Sequence, residues 1–488
     1  NANAGLMFDV RPVFNVVGLL VSGLGLTMLF PFVLDLSRGN GHWGVFLESA
    51  LITILVGGMM YLATRREEAR GLTLQQTFLL TTGVWVALPI FGALPFVLGA
   101  TDASYTDAFF EAMSGLTTTG ATVFSGLDYL PDGLLLWRSI LQWLGGIGII
   151  VVAMVFLPEL RVGGMQIFRS EGFDTFGKIL PRATEIASQI AWLYVGLTAA
   201  CAVVYIASGM RAFDAVLHSM TTIATGGFSS YDASFVRFGA ATEYAGALFM
   251  CLAALPFVRY VQLINGQPTS LFKDTQIQMF FIILIMAVGF LTVALWQGSA
   301  LNGELGFRKV LFNIISIVTG TGFTSADYSS WGPVAVVVFF YAGLVGGCAG
   351  STSCSVKVFR YQLLVSAIHM QLRKINSPHG VFNLRYQGRV VGLDVINSVI
   401  SFFVIFFVSL GVSAMALIFT GLDMLTAFSG AAAALANIGP GLGEVIGPSG
   451  NYGSLNNIAK WVLAITMLLG RLELLAVYTL FTIRFWRN

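Results

Sequence analysis

The stretch DAFFEAMSGLTTTGAT, Asp107 to Thr122, decides the fold of this chain. Its first part is mostly apolar and suits a short helix, whereas TTTGAT at its end is a run of small polar residues that suits a loop. The stretch lies between two longer apolar runs. Whether its polar end is an isolated turn or part of a pattern therefore determines how the whole chain is interpreted.

The chain as a whole has the composition of an integral membrane protein. Of its 488 residues, 56% are hydrophobic and 10% are charged, and the mean hydropathy is +0.81, whereas soluble domains carry about 25% charged residues. The net charge of +2 gives no indication of a nucleic-acid partner. The four cysteines lie in or beside apolar runs without a CxxC pair or a histidine cluster, so we predict neither a zinc site nor disulfides.

Ten apolar runs are long enough to cross a bilayer, which requires about 20 residues. They are Val13–Leu34, Val45–Ala63, Thr77–Gly99, Leu134–Leu157, Ile186–Ser208, Ala241–Ile264, Gln276–Gln297, Pro333–Val365, Val395–Thr420 and Ile458–Ile483. Of the 26 Lys and Arg residues, 18 lie in the connections on the side of the N-terminus and six lie on the other side. This bias predicts that both termini are cytoplasmic. The outer segment 100–133 carries five acidic residues, which would concentrate cations.

The opening pattern occurs three more times. The further copies are DAVLHSMTTIATGGFS (Asp214–Ser229), KVLFNIISIVTGTGFT (Lys309–Thr324) and, more weakly, TAFSGAAAALANIGPG (Thr426–Gly441). In every copy a glycine follows the first residue by 13 positions, at Gly120, Gly227, Gly322 and Gly439. Each copy lies between two apolar runs, so the sequence predicts four units of span, short helix, loop and span.

Four such loops predict a pore. Non-helical backbone at membrane depth is tolerated only where protein buries it or where it lines a water-filled cavity. One loop per quadrant would give a pseudo-fourfold pore, in which glycine lets the backbone approach the axis and rings of carbonyls replace the hydration shell of a cation. The partially negative C-terminal ends of the short helices would favour the same charge. Four unrelated extracellular turns, the alternative, leave the common interval unexplained.

These motifs resemble the Trk/Ktr/HKT superfamily of potassium transporters, whose members look like four potassium-channel protomers fused in one chain. The segments LTTTGAT, GGFS, GFTS and NIGPGLGE resemble its four filter loops, and LQWLGGIGII (Leu141–Ile150), GGCAGST (Gly346–Thr352) and GRLE (Gly470–Glu473) resemble other family motifs. The two spans that precede the first unit resemble the TrkH/TrkG branch. The expected fold is an all-α integral membrane protein with about ten transmembrane helices in four pseudo-symmetric repeats plus two N-terminal helices.

The resemblance also implies a context and a domain organisation. It implies potassium uptake by a homodimer in the bacterial inner membrane, with a cytosolic regulatory ring of the TrkA type that carries NAD or ATP. The basic segment Lys357–Arg389 is a candidate docking face, or equally a positive-inside anchor. The expected divisions are an expression scar at 1–6, two extra helices at 7–75, and repeats at 76–185, 186–275, 276–392 and 393–488.

The resemblance implies a filter built from main-chain oxygens. The filter residues would be Thr118, Thr119, Gly120, Thr225, Gly226, Gly227, Gly320, Thr321, Gly322, Asn437, Ile438 and Gly439. In plant members a serine at the first filter glycine goes with sodium transport, so glycine at position 120 favours potassium. Because only the glycine recurs strictly, we expect fewer ion sites and looser selectivity than in a tetrameric channel.

Two features below the loops suggest a barrier to ions. Arg471 lies 13 residues into the last apolar run, where an arginine costs about 2.5–3.5 kcal/mol on insertion scales. We expect it to face the pore, supported by the resemblance; the alternative is pairing with a buried carbonyl or with Glu473, which should point to the other side of the helix. A run of small residues interrupts the eighth apolar run, and the resemblance implies a movable gating loop there, whereas close helix packing is the alternative.

The loop departs from the family pattern at Ser353, Cys354 and Ser355, where glycines are usual, which could stiffen it. The expected gate residues are Gly346, Gly347, Cys348, Ala349, Gly350, Ser351, Thr352, Ser353, Cys354, Ser355, Lys357 and Arg471. Lys357 would contact the loop or the partner. Elsewhere, Pro256 is expected to kink the sixth span, and Glu111 and His218, at one repeat position, are expected to brace the short helices.

Three other functions compete with a potassium pore. One is a sodium or non-selective monovalent cation pathway. Another is a proton- or sodium-coupled transporter, which would need a carboxylate at membrane depth, and Glu473 is the only clear candidate. The third is an intramembrane enzyme, but the apolar runs contain no paired aspartates, HExxH motif or Ser/His/Lys constellation. We therefore expect no enzymatic activity.

Overall fold

The computed structural model describes residues 9–65, 72–151, 183–267, 269–296, 303–380 and 382–487. The predicted scar at 1–6 lies outside the described residues, as do segments 66–71 and 152–182, which contain six of the basic residues used for the predicted orientation. The described chain is mostly helical, as the composition and apolar runs predicted.

The helices vary from short turns to lengths that can cross a bilayer. In chain order they are Arg11–Thr27, Leu29–Arg38, Trp43–Thr64, Leu74–Gly92, Leu94–Leu98, Tyr105–Leu116, Asp132–Val151, Ala183–Ala207, Ala212–Ile223, Ala240–Ala253, Phe257–Ile264, Thr269–Lys273, Thr275–Trp296, Gly303–Val318, Pro333–Val345, Val358–Asn376, Leu393–Phe419, Met424–Ala436, Asn457–Arg471, Leu475–Leu480 and Ile483–Arg487. Short 3-10 turns occur at Leu127–Tyr129, Ser234–Arg237 and Tyr328–Trp331.

Within the described ranges, seven helical segments are long and apolar enough to span a membrane. An eighth results if Ala240–Ala253 and Phe257–Ile264 count as one span, bent by 89°. Pro256 lies at this bend, and the predicted kink is confirmed, because proline removes a backbone donor and prevents the helix from continuing. The predicted total of ten spans stays a prediction.

The eighth and tenth apolar runs, Pro333–Val365 and Ile458–Ile483, were expected to be single spans but are broken. Helix Pro333–Val345 ends at a segment that we call the small-residue loop (residues 346–357), and Val358–Asn376 follows it. The final run breaks after Arg471, where Glu473 and Leu474 have φ of 60° and 56°. Helical spacing predicted that Glu473 lies on the opposite face of the helix that carries Arg471. This prediction is wrong, because that helix ends between the two residues.

The four repeated segments form short helices that end in the same way. These short helices 1 to 4 are Tyr105–Leu116, Ala212–Ile223, Gly303–Val318 and Met424–Ala436. A left-handed residue stands eleven positions after the start of every repeated segment: Thr118 (φ 52°), Thr225 (49°), Gly320 (77°) and Asn437 (52°). Threonine is rarely left-handed. The turn geometry that the four loops share therefore reflects the packing of the loops rather than the backbone preference of each residue.

The C-terminal ends of these short helices also have similar hydrogen bonds. In units 1, 2 and 4 the residue after the left-handed one donates its N–H to a carbonyl five residues earlier, at 2.8 Å in each case. These bonds are Thr119 to Ser114, Gly226 to Thr221 and Ile438 to Ala433. This is the Schellman arrangement that closes many helices. In unit 3 the bond comes instead from Gly322 to Ser316, at 3.1 Å.

The N-terminal helices pack through small residues. Helices Arg11–Thr27 and Trp43–Thr64 approach so closely that a Cβ on Gly18 would lie 2.7 Å from the Gly57 carbonyl oxygen. A Cβ on Gly57 would lie 2.6 Å from the Ser22 nitrogen. Small residues at such contacts let helices associate in a membrane, where apolar side chains gain little by leaving lipid.

A short β-hairpin was missed by the all-α prediction. Arg385–Tyr386 pairs antiparallel with Arg389–Val390. The connecting residues Gln387 and Gly388 have φ of 49° and 82°, which fits the primed turns that match the twist of hairpin strands. The hairpin lies beside the bend at Pro256, because Arg259 donates to the Gln387 side chain at 3.2 Å.

Candidate functional site

The four loops that follow the short helices meet in a closed ring. We call them loops 1 to 4: residues 117–122, 224–229, 319–324 and 437–441. A Cβ atom added to the glycine of one loop would lie almost on the backbone of the next. The distances from such a Cβ are 2.1 Å from Gly120 to Gly226 O, 2.0 Å from Gly227 to Thr321 O, 2.9 Å from Gly322 to Gly439 N and 2.8 Å from Gly439 to Gly120 O. Each loop therefore touches the next, and loop 4 returns to loop 1. The space at these positions admits no side chain.

The backbone of the ring is similar in three quadrants and different in the fourth. Gly120, Gly227 and Gly322 are left-handed, with φ of 84°, 78° and 83°. Gly439 is not left-handed. It precedes Pro440, and a proline biases the preceding residue toward extended backbone. Loops 1 to 3 thus contain two left-handed residues two positions apart, whereas loop 4 contains one.

A cavity of about 280 Å³ lies against one side of the ring. All four glycines line it, and so do Asp232 and Tyr452. The carboxylate of Asp232 accepts from the Gly126 N–H at 2.7 Å, which joins the outer connections of units 1 and 2. The four predicted glycines thus line one cavity, which is the arrangement expected if they surround a common axis.

Side chains at one repeat position form hydrogen bonds at the far end of loops 1 to 3, whereas the equivalent residue of unit 4 is Gly430. Glu111 accepts from Val123 N at 2.9 Å and pairs with Arg138 at 2.8 Å. His218 contacts Ser229 Oγ at 3.0 Å through Nε2. Asn313, the equivalent residue of unit 3, donates to Ser325 Oγ at 3.0 Å. These contacts agree with the predicted bracing role of Glu111 and His218, and they add Arg138 and Asn313 to it. The common offset in the repeat could have identified Asn313.

Two of the twelve predicted filter carbonyls have side-chain donors. Gln142 Nε2 donates to the Gly226 carbonyl at 2.6 Å, and its Oε1 accepts from Phe228 N at 3.0 Å. The hydroxyl of Tyr452 donates to the Gly439 carbonyl at 2.9 Å. Sequence reasoning assigned no role to Gln142, although it lies in the quoted LQWLGGIGII motif. A carbonyl oxygen has two lone pairs, so each can still face a cation.

Threonine hydroxyls pair in the two quadrants that lie opposite each other. Thr117 and Thr119 contact through Oγ1 at 2.8 Å in loop 1, and Thr319 and Thr321 do the same in loop 3, also at 2.8 Å. The equivalent residues of units 2 and 4 are Ala224 with Gly226 and Ala436 with Ile438. The side-chain support of the ring is therefore twofold rather than fourfold.

The small-residue loop is anchored at the bend of the sixth span. Cys348 N donates to the Ala254 carbonyl at 3.0 Å, and Phe257 N donates to the Gly350 carbonyl at 2.9 Å. Thr352 Oγ1 donates to the Ala253 carbonyl at 3.0 Å. The two broken spans thus satisfy each other's free backbone groups, which neither could leave unpaired within a membrane.

The other half of this loop faces the ring and Arg471. Ser353 Oγ donates to the Thr319 carbonyl of loop 3 at 2.7 Å. Cys354 Sγ contacts Arg471 Nη1. Ser355 Oγ donates to the Gly343 carbonyl at 2.9 Å, within the preceding helix. The remaining predicted gate residues of 346–355 lie in the same loop, so the structure brings this predicted set together.

Arg471 is buried at the end of helix Asn457–Arg471, next to Gly470, where a Cβ would lie 3.1 Å from Asn437 Oδ1 of loop 4. Its side chain is 2% exposed, and Nη2 donates to the Gly145 carbonyl at 2.9 Å. Its guanidinium lies 5.4 Å from the ring centre of Trp85. Both Nε of Arg471 and Oδ1 of Asn437 are buried without a hydrogen-bond partner. The predicted alternative of a buried carbonyl partner is therefore present, but one donor of the guanidinium group remains unused.

Lys357 does not lie on the surface, contrary to one of its predicted roles. It pairs with Glu473 at 2.9 Å and is 4% exposed. Arg360, which also pairs with Glu473, is fully buried. The break after Arg471 makes this possible, because it turns Glu473 toward both cations. The exposed basic residues of the candidate docking face are Arg373, Lys374, Arg385 and Arg389.

No group of three or more His, Cys, Asp or Glu side chains suited to a metal ion occurs among the residues that the structure describes. The ring itself presents backbone carbonyls and threonine hydroxyls. Oxygen ligands of this kind suit hard cations, and rings of neutral carbonyls suit monovalent ones.

Comparison with known proteins identifies a family and several full-length relatives. Residues 42–486 match the family model TrkH, described as a cation transport protein. The chain is 42% identical to the Trk system potassium uptake protein TrkI of Halomonas elongata, over 98% of this chain and 97% of that protein. It is 39% identical to TrkH of the same organism, over 98% and 100%. The crystal structure of the potassium transporter TrkH from Vibrio parahaemolyticus superposes with a TM-score of 0.89 at 34% identity, covering 98% of this chain and all of that one.

Proposed function

The chain belongs to the TrkH family of cation transport proteins, which are membrane ion transporters and not enzymes, and from that premise we propose that it takes up potassium through a channel-like pore. The single observation that supports this best is the closed ring of loops 1 to 4. Relatives that match the chain over nearly its full length are named as potassium uptake proteins, which supports potassium as the ion.

The twelve predicted filter residues form the selectivity filter in this proposal. Four short helices end at the ring, so their partially negative ends favour a cation there. In loops 1 to 3 the alternation of left-handed with other residues lets successive carbonyls turn toward one side of the strand. The departures at Gly439, and the donors on Gly226 and Gly439, make the ring unequal. We therefore expect fewer ion sites than in a symmetric channel.

Arg471 and the small-residue loop form the barrier below the filter. A buried arginine usually faces a bundle interior or a cavity, and here Nε of Arg471 and Oδ1 of Asn437 are both buried without a hydrogen-bond partner. A fixed positive charge at that point opposes a resting cation. The loop that contacts Arg471 is held by single hydrogen bonds rather than by helical ones, which suits a segment that moves.

The cellular context follows from the family and is part of the proposal. The protein would be a homodimer in the bacterial inner membrane with both termini in the cytoplasm. A TrkA-like cytosolic ring, which would carry the NAD or ATP, would control the gate. The exposed basic residues Arg373, Lys374, Arg385 and Arg389 are the part of the predicted docking face that such a ring could reach.

A proton-coupled transporter is the second candidate, and the position of Glu473 argues against it. A coupling carboxylate must gain and lose a proton during transport. Glu473 is buried between Lys357 and Arg360, so its protonation would remove the negative charge that pairs with two buried cations. A sodium or non-selective pathway remains a variant of the pore, favoured by the unequal quadrants of the ring.

The experiment is ion flux into liposomes that contain the purified protein. Gly120→Ser should lower potassium or rubidium flux and shift preference toward sodium, because a Cβ at this position would lie 2.1 Å from the Gly226 carbonyl oxygen. Gly239→Ser is the matched control, because a Cβ there meets nothing within 4 Å. Flux that requires a proton gradient, or that responds equally to both substitutions, would contradict the proposal.

A further inference from the structure

Ser353 bridges the small-residue loop and loop 3. Its Oγ donates to the Thr319 carbonyl at 2.7 Å and accepts from the Gly347 N–H at 2.8 Å. The residue is 2% exposed. A hydroxyl has one proton to donate and can accept at the same time. One side chain thus joins two backbone segments that are far apart in sequence.

The bridged carbonyl belongs to the inner end of a predicted filter loop. Thr319 directly precedes the left-handed Gly320, and its hydroxyl pairs with Thr321 Oγ1 at 2.8 Å. A shift of Thr319 would therefore move both following residues. In loop 2 the equivalent carbonyl, that of Ala224, accepts from Thr225 of its own loop, also at 2.8 Å. At this position, the carbonyl of loop 3 accepts from a residue outside the loop, whereas the carbonyl of loop 2 accepts from a residue within it.

The neighbours of Ser353 point to other targets. Cys354 contacts Arg471, and Ser355 bonds to the Gly343 carbonyl at 2.9 Å. Of these three consecutive side chains, the hydrogen bond of Ser353 is the one that reaches loop 3. The preceding half of the small-residue loop is fixed to residues 253–257. Movement of residues 353–355 alone would break the bridge while leaving that anchor intact.

We propose that Ser353 is a specificity-positioning residue, which holds the inner end of loop 3 in place while the small-residue loop is seated. The position of that loop then sets the ion preference of the filter as well as the passage of ions below it. The inference rests on the proposed function, since it assumes that loop 3 forms part of a filter. It adds that the small-residue loop and loop 3 are coupled through the hydroxyl of Ser353.

The test compares Ser353→Ala with Ser409→Ala in liposome flux of rubidium and sodium. Ser353→Ala should lower the rubidium-to-sodium flux ratio by about twofold to tenfold, the factor that corresponds to one ordinary hydrogen bond. Ser409 lies outside the ring and the small-residue loop, is 3% exposed and donates to the Ile405 carbonyl at 2.7 Å, so Ser409→Ala removes a similar hydrogen bond and should leave the ratio at the wild-type value. Ser353→Cys keeps a weak donor and should give an intermediate ratio. All variants must elute from gel filtration as the wild type does.

The outcomes separate this inference from the proposed function. A wild-type ratio in Ser353→Ala, or an equal shift in Ser409→Ala, would overturn the role of Ser353 alone, provided that Gly120→Ser still changes the ion preference. If Gly120→Ser has no effect on wild-type flux, the filter proposal fails and the role of Ser353 fails with it.

Discussion

At the residue scale, the most informative side chain is Arg471. It is a charged residue in an apolar run, and its contacts join three segments: the helix that carries Gly145, the small-residue loop through Cys354, and its own helix next to loop 4. Its sequence position predicted burial near the membrane centre. Its partners could not be predicted, because they lie more than a hundred residues away in the chain.

Substitution of Arg471 by alanine should raise basal potassium or rubidium flux. Two unit charges about 10 Å apart in an effective dielectric constant of about 20 repel by about 1.7 kcal/mol, which corresponds to at least a tenfold change in rate. The measurement is liposome flux without any partner protein. Arg471→Lys keeps the charge and should stay near the wild-type rate. An unchanged or lower rate in a well-folded Arg471→Ala variant would remove this residue from the barrier.

The equivalence of the four ring glycines could be predicted from their spacing in the sequence. The interval of 13 positions identified Gly120, Gly227, Gly322 and Gly439 as equivalent, and the structure brings all four together around one cavity. The difference at Gly439 follows from Pro440, which is visible in the sequence. The contact between Gln142 and the Gly226 carbonyl is not, because nothing local to either residue indicates it.

At the element scale, two breaks in the helices are stabilised by hydrogen bonds between them. The sixth span bends at Pro256 and the eighth apolar run opens into the small-residue loop, and the freed backbone groups of one pair with those of the other. Proline and a run of small residues predicted each break separately. Their pairing is a long-range contact. The turn at Glu473 was missed for the same reason, because Lys357 and Arg360, with which Glu473 pairs there, lie more than a hundred residues away in the chain.

Gly347→Ala should disturb this paired arrangement. A Cβ at Gly347 would lie 2.7 Å from the Ser353 Cβ and 3.1 Å from the Ala254 Cβ, so the loop could not keep its place against the bend. Overpacking of this kind typically costs about 1–3 kcal/mol of unfolding free energy. Thermal unfolding in detergent should show a lower transition temperature.

Gly411→Ala is the matched control for that measurement. Gly411 lies in helix Leu393–Phe419, and a Cβ there meets nothing within 4 Å. Alanine is the better helix former by about 1 kcal/mol, so this variant should unfold at the wild-type temperature or above it. Equal destabilisation by the two substitutions would contradict the packing of the small-residue loop described here.

At the scale of the whole molecule, the four loops form one closed ring with unequal contacts between neighbours. The sequence repeat predicted the arrangement of span, short helix and loop, and the equal left-handed positions of the four loops follow that repeat. The inequality could not be derived from the repeat, because it arises where units meet: the threonine pairs of loops 1 and 3, the amide of Asn437 that donates to Thr119 at 3.0 Å, and the bridge of Ser353 to Thr319.

The most direct test of the central claim is to locate a cation at the ring. Crystals of the protein grown with rubidium, whose anomalous scattering identifies it, should show an anomalous peak on the axis between Gly120, Gly227, Gly322 and Gly439. Replacement of rubidium by potassium should abolish the anomalous signal while density remains at the same place. Absence of an anomalous peak within the ring, with rubidium found only elsewhere in the protein, would contradict the account.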